Sequence, residues 1–298
     1  MKRSLKLQFH YGFMALPGFI WLFLFSIVPM YGVVMAFQYF NPALGFFRSR
    51  WIGMENFKYL FMLNDSIQVI KNTIIIASAK VFLNLLVPLL FALLLNEVRV
   101  HRYKKAVQTI VFLPHFISWV ILASVIINIF GFQGVVNTIG HSLFGMESKV
   151  WMSDANLFRP LVIWTEVWKE FGFNAIIFIA ALTGINPELY EAAAIDGAGR
   201  LRSTWHVTLP GITSTIVVIG VLSLGNILNA GFDQIYNLYN PVVYSTGDII
   251  DTWVYRIGLV NLQFSLGTAA GLLKSVISFI LIVSSYVMAY KFADYKVF

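Results

Sequence analysis

Residues 72–96 read NTIIIASAKVFLNLLVPLLFALLLN, an apolar run in which Lys80 is the one charged residue. A helix needs about 20 predominantly apolar residues to cross the hydrocarbon core of a bilayer. Comparable runs occur at five other places in the chain, so we predict six membrane-spanning helices. The predicted spans lie near residues 14–38, 72–96, 109–130, 160–184, 211–230 and 268–291.

The composition agrees with a lipid environment. Of the 298 residues, 58% are hydrophobic and 12% are charged, whereas a soluble domain has about 25% charged residues. Cysteine is absent, which excludes disulfides, thiolate metal sites and a cysteine nucleophile. The net charge of +7 is scattered along the chain, so it does not indicate a nucleic-acid partner. We therefore expect an all-α membrane protein in which residues 1–298 form one domain in the lipid bilayer.

Lys and Arg residues beside the predicted spans indicate the orientation, because cytoplasmic loops of membrane proteins carry an excess of them. An arrangement with both termini inside places the larger share of these residues on the cytoplasmic side. The first outer loop runs against the rule, but it is long, and long loops carry less weight. The residues counted as inside are Lys2, Arg3, Lys6, Arg99, Arg102, Lys104, Lys105, Arg200, Arg202, Lys291 and Lys296.

The connection between the fourth and fifth spans, residues 186–210, is longer than a simple link requires. Asn186 is a good helix N-cap, and Pro187 suits the first helical position. The alanines that follow favour a helix, and Gly197 is a natural stop in the left-handed conformation. We predict a helix, a turn and a second short helix, with small side chains that let a partner approach closely.

Within this connection, Glu191-Ala192-Ala193, Gly197 and Leu209-Pro210 follow a recognisable spacing. The pattern resembles the EAA loop in permease subunits of binding-protein-dependent ABC importers, with Val207 where the family pattern has isoleucine. The resemblance implies a type I ABC importer permease fold, in which this loop is a cytoplasmic coupling helix that docks on an ATPase subunit. The coupling residues that it implies are Glu191, Ala192, Ala193, Asp196, Gly197, Leu209 and Pro210.

Five further segments resemble permeases for oligosaccharides and complex polysaccharides, the LplB-like subgroup of the maltose-type family. They are residues 29–32, 96–99, 112–119, 232–236 and 251–256. The resemblance implies import of oligosaccharides or polysaccharide fragments across a bacterial plasma membrane. It also implies a second homologous permease, two ABC ATPases that hold ATP and Mg, and an extracytoplasmic substrate-binding protein. No cofactor is expected in this chain.

The sequence lacks the motifs that an enzyme or a nucleotide-binding protein would need. It contains no G-x-x-x-x-G-K-[ST], G-x-G-x-x-G, H-E-x-x-H or G-x-S-x-G, and its five histidines are dispersed. A membrane-embedded enzyme acting on lipids or cell-wall intermediates is one alternative, but it would need an acid–base or metal cluster. A permease for a non-sugar solute is a second alternative, which the EAA loop tolerates.

Three ionisable residues interrupt the fourth predicted span. Glu166, Lys169 and Glu170 share a helix face by their spacing, and charges at membrane depth usually face a cavity or a partner. One interpretation is a polar wall of the translocation cavity, with the ring of Trp164 or Trp168 stacking on sugar. The alternatives are an ion pair at the outer interface and contact with the partner permease.

Polar residues in other spans have two interpretations as well. Asn226 and Asn229, three residues apart in the fifth span, are candidates to bind sugar hydroxyls or to hold helices together. Lys80 and Lys274 are expected to extend their ammonium groups towards the membrane surface rather than to bind substrate.

Two outer segments are candidates for surface structure. Residues 51–61 place aromatic residues at helical intervals, which suits a short helix in the headgroup layer or an ordinary packed loop. Residues 232–256 are expected to contact the binding protein or to gate the cavity, with an ordinary folded loop as the alternative. The residues proposed for that role are Asp233, Tyr236, Tyr239, Tyr244, Asp251 and Trp253.

Overall fold

The computed structural model describes residues 2–293, with the side chains of residues 10–288 and 290, and most of it is helical. Lys296, which contributes to the predicted orientation, lies outside the described residues. The side chains of Lys2, Arg3, Lys6 and Lys291 lie outside them too.

Six helices carry most of the chain: α1 (Lys2–Leu22), α2 (Asn64–Asn96), α3 (Trp119–Phe130), α4 (Ala155–Thr183), α5 (Leu209–Leu224) and α6 (Phe264–Ala293). Helix α1 continues through Phe23–Ile27, Val28–Met30 and Tyr31–Phe37, and α5 follows a π-helical turn at Thr204–Thr208. Shorter helices or helical turns are Gly45–Arg48, Glu55–Met62, His101–Phe112, Leu113–Phe116, Val135–Phe144, Trp151–Ser153, Pro187–Ile195, Arg200–Ser203, Phe232–Leu238, Pro241–Val243, Tyr244–Gly247, Ile250–Tyr255 and Arg256–Val260. Two short strands, β1 (Gln38–Tyr39) and β2 (Arg50–Trp51), pair antiparallel.

Length and apolar character qualify five helical segments of the described chain as membrane spans. These segments are His10–Phe37, Asn64–Asn96, Trp119–Phe144, Arg200–Leu224 and Phe264–Met288. A sixth is added when α4 and the Pro187–Ile195 helix, bent by 70° from each other, count as one span. The all-helical class is confirmed. The count of five or six candidate spans is compatible with the predicted six.

Two predicted spans differ from the structure. The span predicted at 109–130 is not one helix, because Leu113–Phe116 forms a 3₁₀ turn and α3 begins only at Trp119. Pro114 lacks a backbone N–H, and Ser118 caps the new helix by accepting from the Ile121 amide. The span predicted at 211–230 ends at Leu224, and residues 225–228 form turns.

The described chain divides into two compact units, residues 2–63 with 254–273 and residues 64–253 with 274–293. In the first unit, the Ser265 hydroxyl accepts a hydrogen bond from the Phe40 amide at 2.8 Å. Of the two interpretations of residues 51–61, a short helix or a packed loop, the structure has the helix, at Glu55–Met62, with Phe57 and Leu60 buried.

In the second unit, α2 and α4 pack along each other and form the centre of the core. One apolar cluster includes Ile76, Phe158 and Ile235, and a second includes Ala92 and Phe178. Many large apolar side chains elsewhere on the helices are exposed. That exposure suits helices surrounded by lipid or by other membrane helices.

Candidate coupling and translocation sites

The helix Pro187–Ile195 is formed as its sequence predicts. The Asn186 side chain accepts a hydrogen bond from the Glu188 amide at 3.1 Å, which satisfies one of the free N–H groups of the first turn. Gly197 ends the helix at a φ of +74°, a conformation in which a side chain would be strained. The predicted cap, helix and stop are therefore confirmed.

Around this helix, apolar side chains point outward instead of packing into the core. The exposed fractions are 87% for Ile195, 80% for Leu201 and 68% for Trp205. The Glu191 side chain is exposed as well. Clustered exposed apolar residues mark surfaces that contact other proteins or a membrane.

A groove of about 380 Å³ runs between the Pro187–Ile195 helix and the short helix that follows it. Of the predicted coupling residues, Ala192, Ala193 and Asp196 line this groove. The Tyr190 hydroxyl lies 3.1 Å from the hydroxyl oxygen of Thr208, which is buried directly before α5. This side-chain contact links the Pro187–Ile195 helix to the start of α5, just before Leu209 and Pro210.

Lys80 is buried in the second unit, where it bridges three parts of the chain. Its ammonium lies 3.5 Å from Glu166 Oε2 on α4 and donates to the Ala230 carbonyl oxygen at 2.6 Å. It also donates to the side-chain oxygen of Gln234. The expectation that Lys80 extends to the membrane surface is wrong. The residue lies midway along α2, about 24 Å from either end, and is only 5% exposed.

The surroundings of Lys80 depend on two residues that the sequence analysis missed. Gln234 is fully buried, and its amide donates to the Val162 carbonyl at 2.7 Å and to Thr165 Oγ1 at 2.9 Å. Gly231 has a φ of +92°, and a Cβ there would lie 3.0 Å from the Lys80 ammonium. In the sequence, Lys80 lies near the centre of the apolar run 72–96, where its side chain cannot reach either membrane surface. This position is the feature that could have indicated a buried partner.

Lys169 and Glu170 form a separate cluster with His115. The Lys169 ammonium lies 2.7 Å from Glu170 Oε1 and donates to the His115 carbonyl oxygen at 2.7 Å. The His115 ring nitrogen Nδ1 lies 2.6 Å from Glu170 Oε2, and the ring stacks on Phe173. Lys169 is 5% exposed. The structure therefore divides the predicted trio, because Glu166 pairs with Lys80 instead of Lys169.

Trp168 lies apart from these charged groups. A residue two positions away on a helix is rotated by about 200°, so Trp168 is nearly opposite Glu166. Its ring is half exposed and lines an apolar hollow together with Trp164, Phe130 and other apolar residues. The structure does not bring Trp168 together with the charged residues of the predicted cavity wall.

Asn226 and Asn229 are exposed and do not lie within a helix: Asn226 lies in the turns after α5, and Asn229 directly follows them. The Lys274 ammonium donates to Asn229 Oδ1 at 3.1 Å and lies 2.5 Å from Asp251 Oδ1. The Lys274 side chain is 15% exposed, so it is paired rather than extended to the surface. Through Lys274, the structure therefore links Asn229, a predicted cavity residue, to Asp251, a predicted gate residue.

The predicted gate residues are distributed between surface and interior. Asp233 and Tyr236 are exposed, and Tyr239, Tyr244 and Asp251 are half-buried. The ring centres of Tyr236 and Tyr239 are 6.2 Å apart, and those of Tyr239 and Tyr244 are 5.0 Å apart. Trp253 is only 4% exposed, so its ring packs in the interior and offers no surface for a partner in this conformation.

Asn72 and Arg159 anchor the segment around residues 244–250, which the sequence analysis did not anticipate. The fully buried Asn72 amide donates to the Asp248 carbonyl at 3.0 Å and accepts from Arg159 at 2.5 Å. Arg159 also donates to the Thr246 carbonyl at 2.9 Å. The adjacent Thr73 hydroxyl accepts from the Ile250 amide. Side chains from α2 and α4 thus satisfy backbone groups that the irregular segment leaves unpaired.

Among the described residues, no three His, Cys, Asp or Glu side chains are arranged to hold a metal ion. The buried polar side chains described above bond to one another and to backbone carbonyls of the second unit. Their arrangement positions helices and connecting segments.

Residues 84–293 match the family described as the inner membrane component of binding-protein-dependent transport systems. The chain belongs to this family, whose members are transport permease subunits rather than enzymes. The resemblance carried by the EAA loop is confirmed.

Two relatives from Bacillus subtilis (strain 168) match over most of their length. Protein LplB is 44% identical over 278 residues, which cover 93% of this chain and 87% of the relative. The polygalacturonan/rhamnogalacturonan transport system permease protein YteP is 43% identical over 284 residues, which cover 94% of this chain and 88% of the relative.

Two solved structures share the fold. The first is a bacterial ABC transporter involved in the import of the acidic polysaccharide alginate. One of its chains matches with a TM-score of 0.89 and 38% sequence identity, and the match covers 97% of this chain and 98% of the transporter chain. The second is the bacterial alginate ABC transporter in complex with an alginate pentasaccharide-bound periplasmic protein. Its chain matches with a TM-score of 0.90 and 36% sequence identity, and the match covers 100% of this chain and 99% of the transporter chain.

Proposed function

We propose that the chain is the permease subunit of an ATP-driven importer for oligosaccharides or polysaccharide fragments in the bacterial plasma membrane. The observation that carries this proposal is the exposed apolar surface around the Pro187–Ile195 helix, at a 70° bend after α4. The substrate class is supported by YteP, named for polygalacturonan and rhamnogalacturonan transport. It is further supported by the alginate importers among the solved structures.

The orientation proposed for the chain has both termini and the Pro187–Ile195 helix in the cytoplasm. Six spans then cross the membrane, with α4 entering from outside and α5 returning. This arrangement is supported by the excess of Lys and Arg beside the predicted inner ends. It also gives the exposed Ile195 and Leu201 an aqueous compartment in which an ATPase subunit can cover them.

The proposed assembly contains this chain, a second homologous permease, two ABC ATPases and an extracytoplasmic substrate-binding protein. The ATPases hold ATP and Mg, and this chain acts as one membrane domain with no cofactor of its own. The Pro187–Ile195 helix is then the coupling helix, and Glu191, Ala192 and Ala193 contact the ATPase. The binding protein as a partner is supported by the family description and by the alginate complex.

The mechanism proposed is alternating access. ATP must bind more tightly to the assembly when it is open to the outside, because a ligand shifts a conformational equilibrium only by its differential affinity. Closure of the ATPases moves the coupling helix. Tyr190 passes this motion to Thr208 and the start of α5, over a contact of 3.1 Å.

The translocation cavity is proposed to use the exposed amides of Asn226 and Asn229, with Lys274 and Asp251 beside them. Exposed donors and acceptors suit sugar hydroxyls. Glu166 and Glu170 stay candidates for the cavity wall through their partly exposed carboxylates, whose side-chain exposed fractions are 20% and 19%. Lys169 stays a candidate through its ion pair with Glu170. Asp233 and Tyr236 are the gate residues best placed to contact a binding protein, because their side chains are exposed.

The coupling role is tested in the assembled importer, reconstituted with its ATPases, second permease and binding protein. Glu191→Lys and Gly197→Asp are expected to abolish substrate-stimulated ATP hydrolysis while membrane insertion persists. Two matched controls exist: Glu147→Lys reverses another exposed charge, and Gly145→Asp replaces another open glycine, at φ +60°. Wild-type hydrolysis and uptake in both coupling variants would remove the assignment.

A further inference from the structure

A cavity of about 430 Å³ lies within the unit formed by residues 2–63 and 254–273. It is bounded by the end of β1, the Glu55–Met62 helix and the first residues of α6. None of the described side chains that line it carries a charge at neutral pH. Its aromatic and amide lining includes Tyr39, Phe40, Asn41, Asn56, Tyr59 and Gln263.

The amide groups of this lining offer both kinds of hydrogen bond. Asn56 Nδ2 donates to the carbonyls of Ala36 and Gln38, at 2.8 and 3.1 Å, which leaves its oxygen as an acceptor. Asn41 Oδ1 accepts from the Ala43 amide at 3.0 Å, which leaves its NH₂ group as a donor. The Gln263 side chain is exposed and offers a donor and an acceptor.

Aromatic rings stand beside these amides. Tyr39 is 71% exposed and Tyr59 is 53% exposed. Phe40 contacts Phe264 edge to face, with ring centres 6.2 Å apart. The C–H groups on a face of a pyranose ring are attracted to aromatic rings, and its hydroxyls need donors and acceptors together. Aromatic walls with a few polar groups, in a volume of this size, are typical of small-ligand sites.

The backbone at the edge of the cavity is strained. Leu262 has a φ of +57°, the only positive φ at a non-glycine position in the described chain. Its neighbours fix this conformation, because the Asn261 amide donates to the Arg256 carbonyl and the Gln263 amide to the Ile257 carbonyl. Strain of this kind persists only where the surrounding structure enforces it, and it is frequent at binding sites. The enforced conformation of Leu262 holds the backbone of Gln263 in the wall of the cavity that Tyr39 and Tyr59 also line.

We propose that this cavity is a saccharide-binding subsite, which holds a sugar ring of the transported chain at the extracytoplasmic face. The proposal rests on the proposed function, since it uses the substrate class and the orientation that places the start of α6 outside. A saccharide fits better than a phospholipid headgroup, because no cation lines the cavity to pair with a phosphate. The hydroxyls of a sugar match the acceptor of Asn56 and the donor of Asn41.

The test uses the complete permease–ATPase complex in nanodiscs without binding protein, and saturation-transfer NMR with oligosaccharides from polygalacturonate and alginate. Tyr59→Ala is expected to weaken binding about three- to tenfold, with Tyr59→Phe close to wild type because the ring remains. Tyr103→Ala, which removes another exposed tyrosine, is the matched control. The same weakening is expected for Gln263→Ala.

Two results would overturn the subsite. One is the absence of saturation transfer from the wild-type complex to the saccharides, or equal binding by wild type, Tyr59→Ala and Gln263→Ala. The other is unchanged saccharide binding with weaker docking of the binding protein, which would make the cavity a protein contact. Failure of the proposed function is distinguishable, because the wild-type complex with its binding protein would then import none of these saccharides.

Discussion

The Lys80 ammonium and the Glu166 carboxylate lie 3.5 Å apart at the middle of α2 and α4, and the Lys80 side chain is 6% exposed. Gln234 and the Ala230 carbonyl complete the surroundings of the ammonium. The pair therefore connects two long helices to the chain that follows α5. A buried charge is tolerated only when its partners are present, so these residues depend on one another.

Loss of Lys80 alone should destabilise the protein. In Lys80→Met, the Glu166 carboxylate, whose side chain is 20% exposed, loses its cation inside the protein, and we expect a loss of about 3 kcal/mol in the free energy of unfolding. This loss is measured by comparing the free energies of unfolding of the variant and the wild type in mixed detergent micelles. The double variant Lys80→Met/Glu166→Gln should recover much of the loss.

The control for this prediction is Lys149→Met, which breaks a partly exposed pair with Asp154, with side-chain exposed fractions of 46% and 32%. It should cost no more than about 1 kcal/mol. Equal effects of Lys80→Met and Lys149→Met would show that the buried pair contributes little to stability.

Replacement of Gly231 should disturb the same site through the backbone. A Cβ in Gly231→Ala meets the Lys80 ammonium at 3.0 Å, and the φ of +92° strains any side chain. We expect a loss of about 1–3 kcal/mol. In Gly271→Ala, within α6, the Cβ meets nothing within 4 Å, so stability should be unchanged or higher. Identical thermal midpoints for the two variants would contradict the assigned strain.

The Asn72 anchor should control local opening of residues 244–250. Asn72→Leu removes the amide that donates to the Asp248 carbonyl and accepts from one guanidinium nitrogen of Arg159, at a cost of about 1–3 kcal/mol. Hydrogen exchange is expected to accelerate in this segment, because its open form becomes more populated. Ser142→Ala, which removes an exposed side-chain bond to the Thr138 carbonyl, should leave it unchanged. Wild-type exchange in Asn72→Leu would refute the anchor.

Lys274 should affect transport more than assembly. In Lys274→Met, Asp251 loses the cation 2.5 Å away and Asn229 loses its donor, which changes the charge of the proposed cavity. We expect uptake to fall about tenfold, corresponding to about 1.4 kcal/mol, while the complex still assembles. Uptake of labelled oligosaccharide into proteoliposomes measures this effect, with exposed Lys71→Met as control. Equal uptake by both variants would return Lys274 to a structural role.

The sequence by itself determined the helical class, the membrane environment and the Pro187–Ile195 helix. Each of these follows from local chemistry: apolar runs long enough for a bilayer, an N-cap at Asn186 and a left-handed stop at Gly197. The same locality explains the error at 109–130, where the apolar character continues through the break at Pro114.

Only the tertiary structure decided which polar side chains meet. Glu166 and Lys169 are three residues apart, and their spacing favoured one cluster. Lys80 instead reaches Glu166 from another helix, and Lys169 pairs with Glu170. The partners of Lys80 come from α4 and from residues 230–234, far apart in the chain. Spacing within one helix specifies a face, but it contains no information on which distant segment packs against that face.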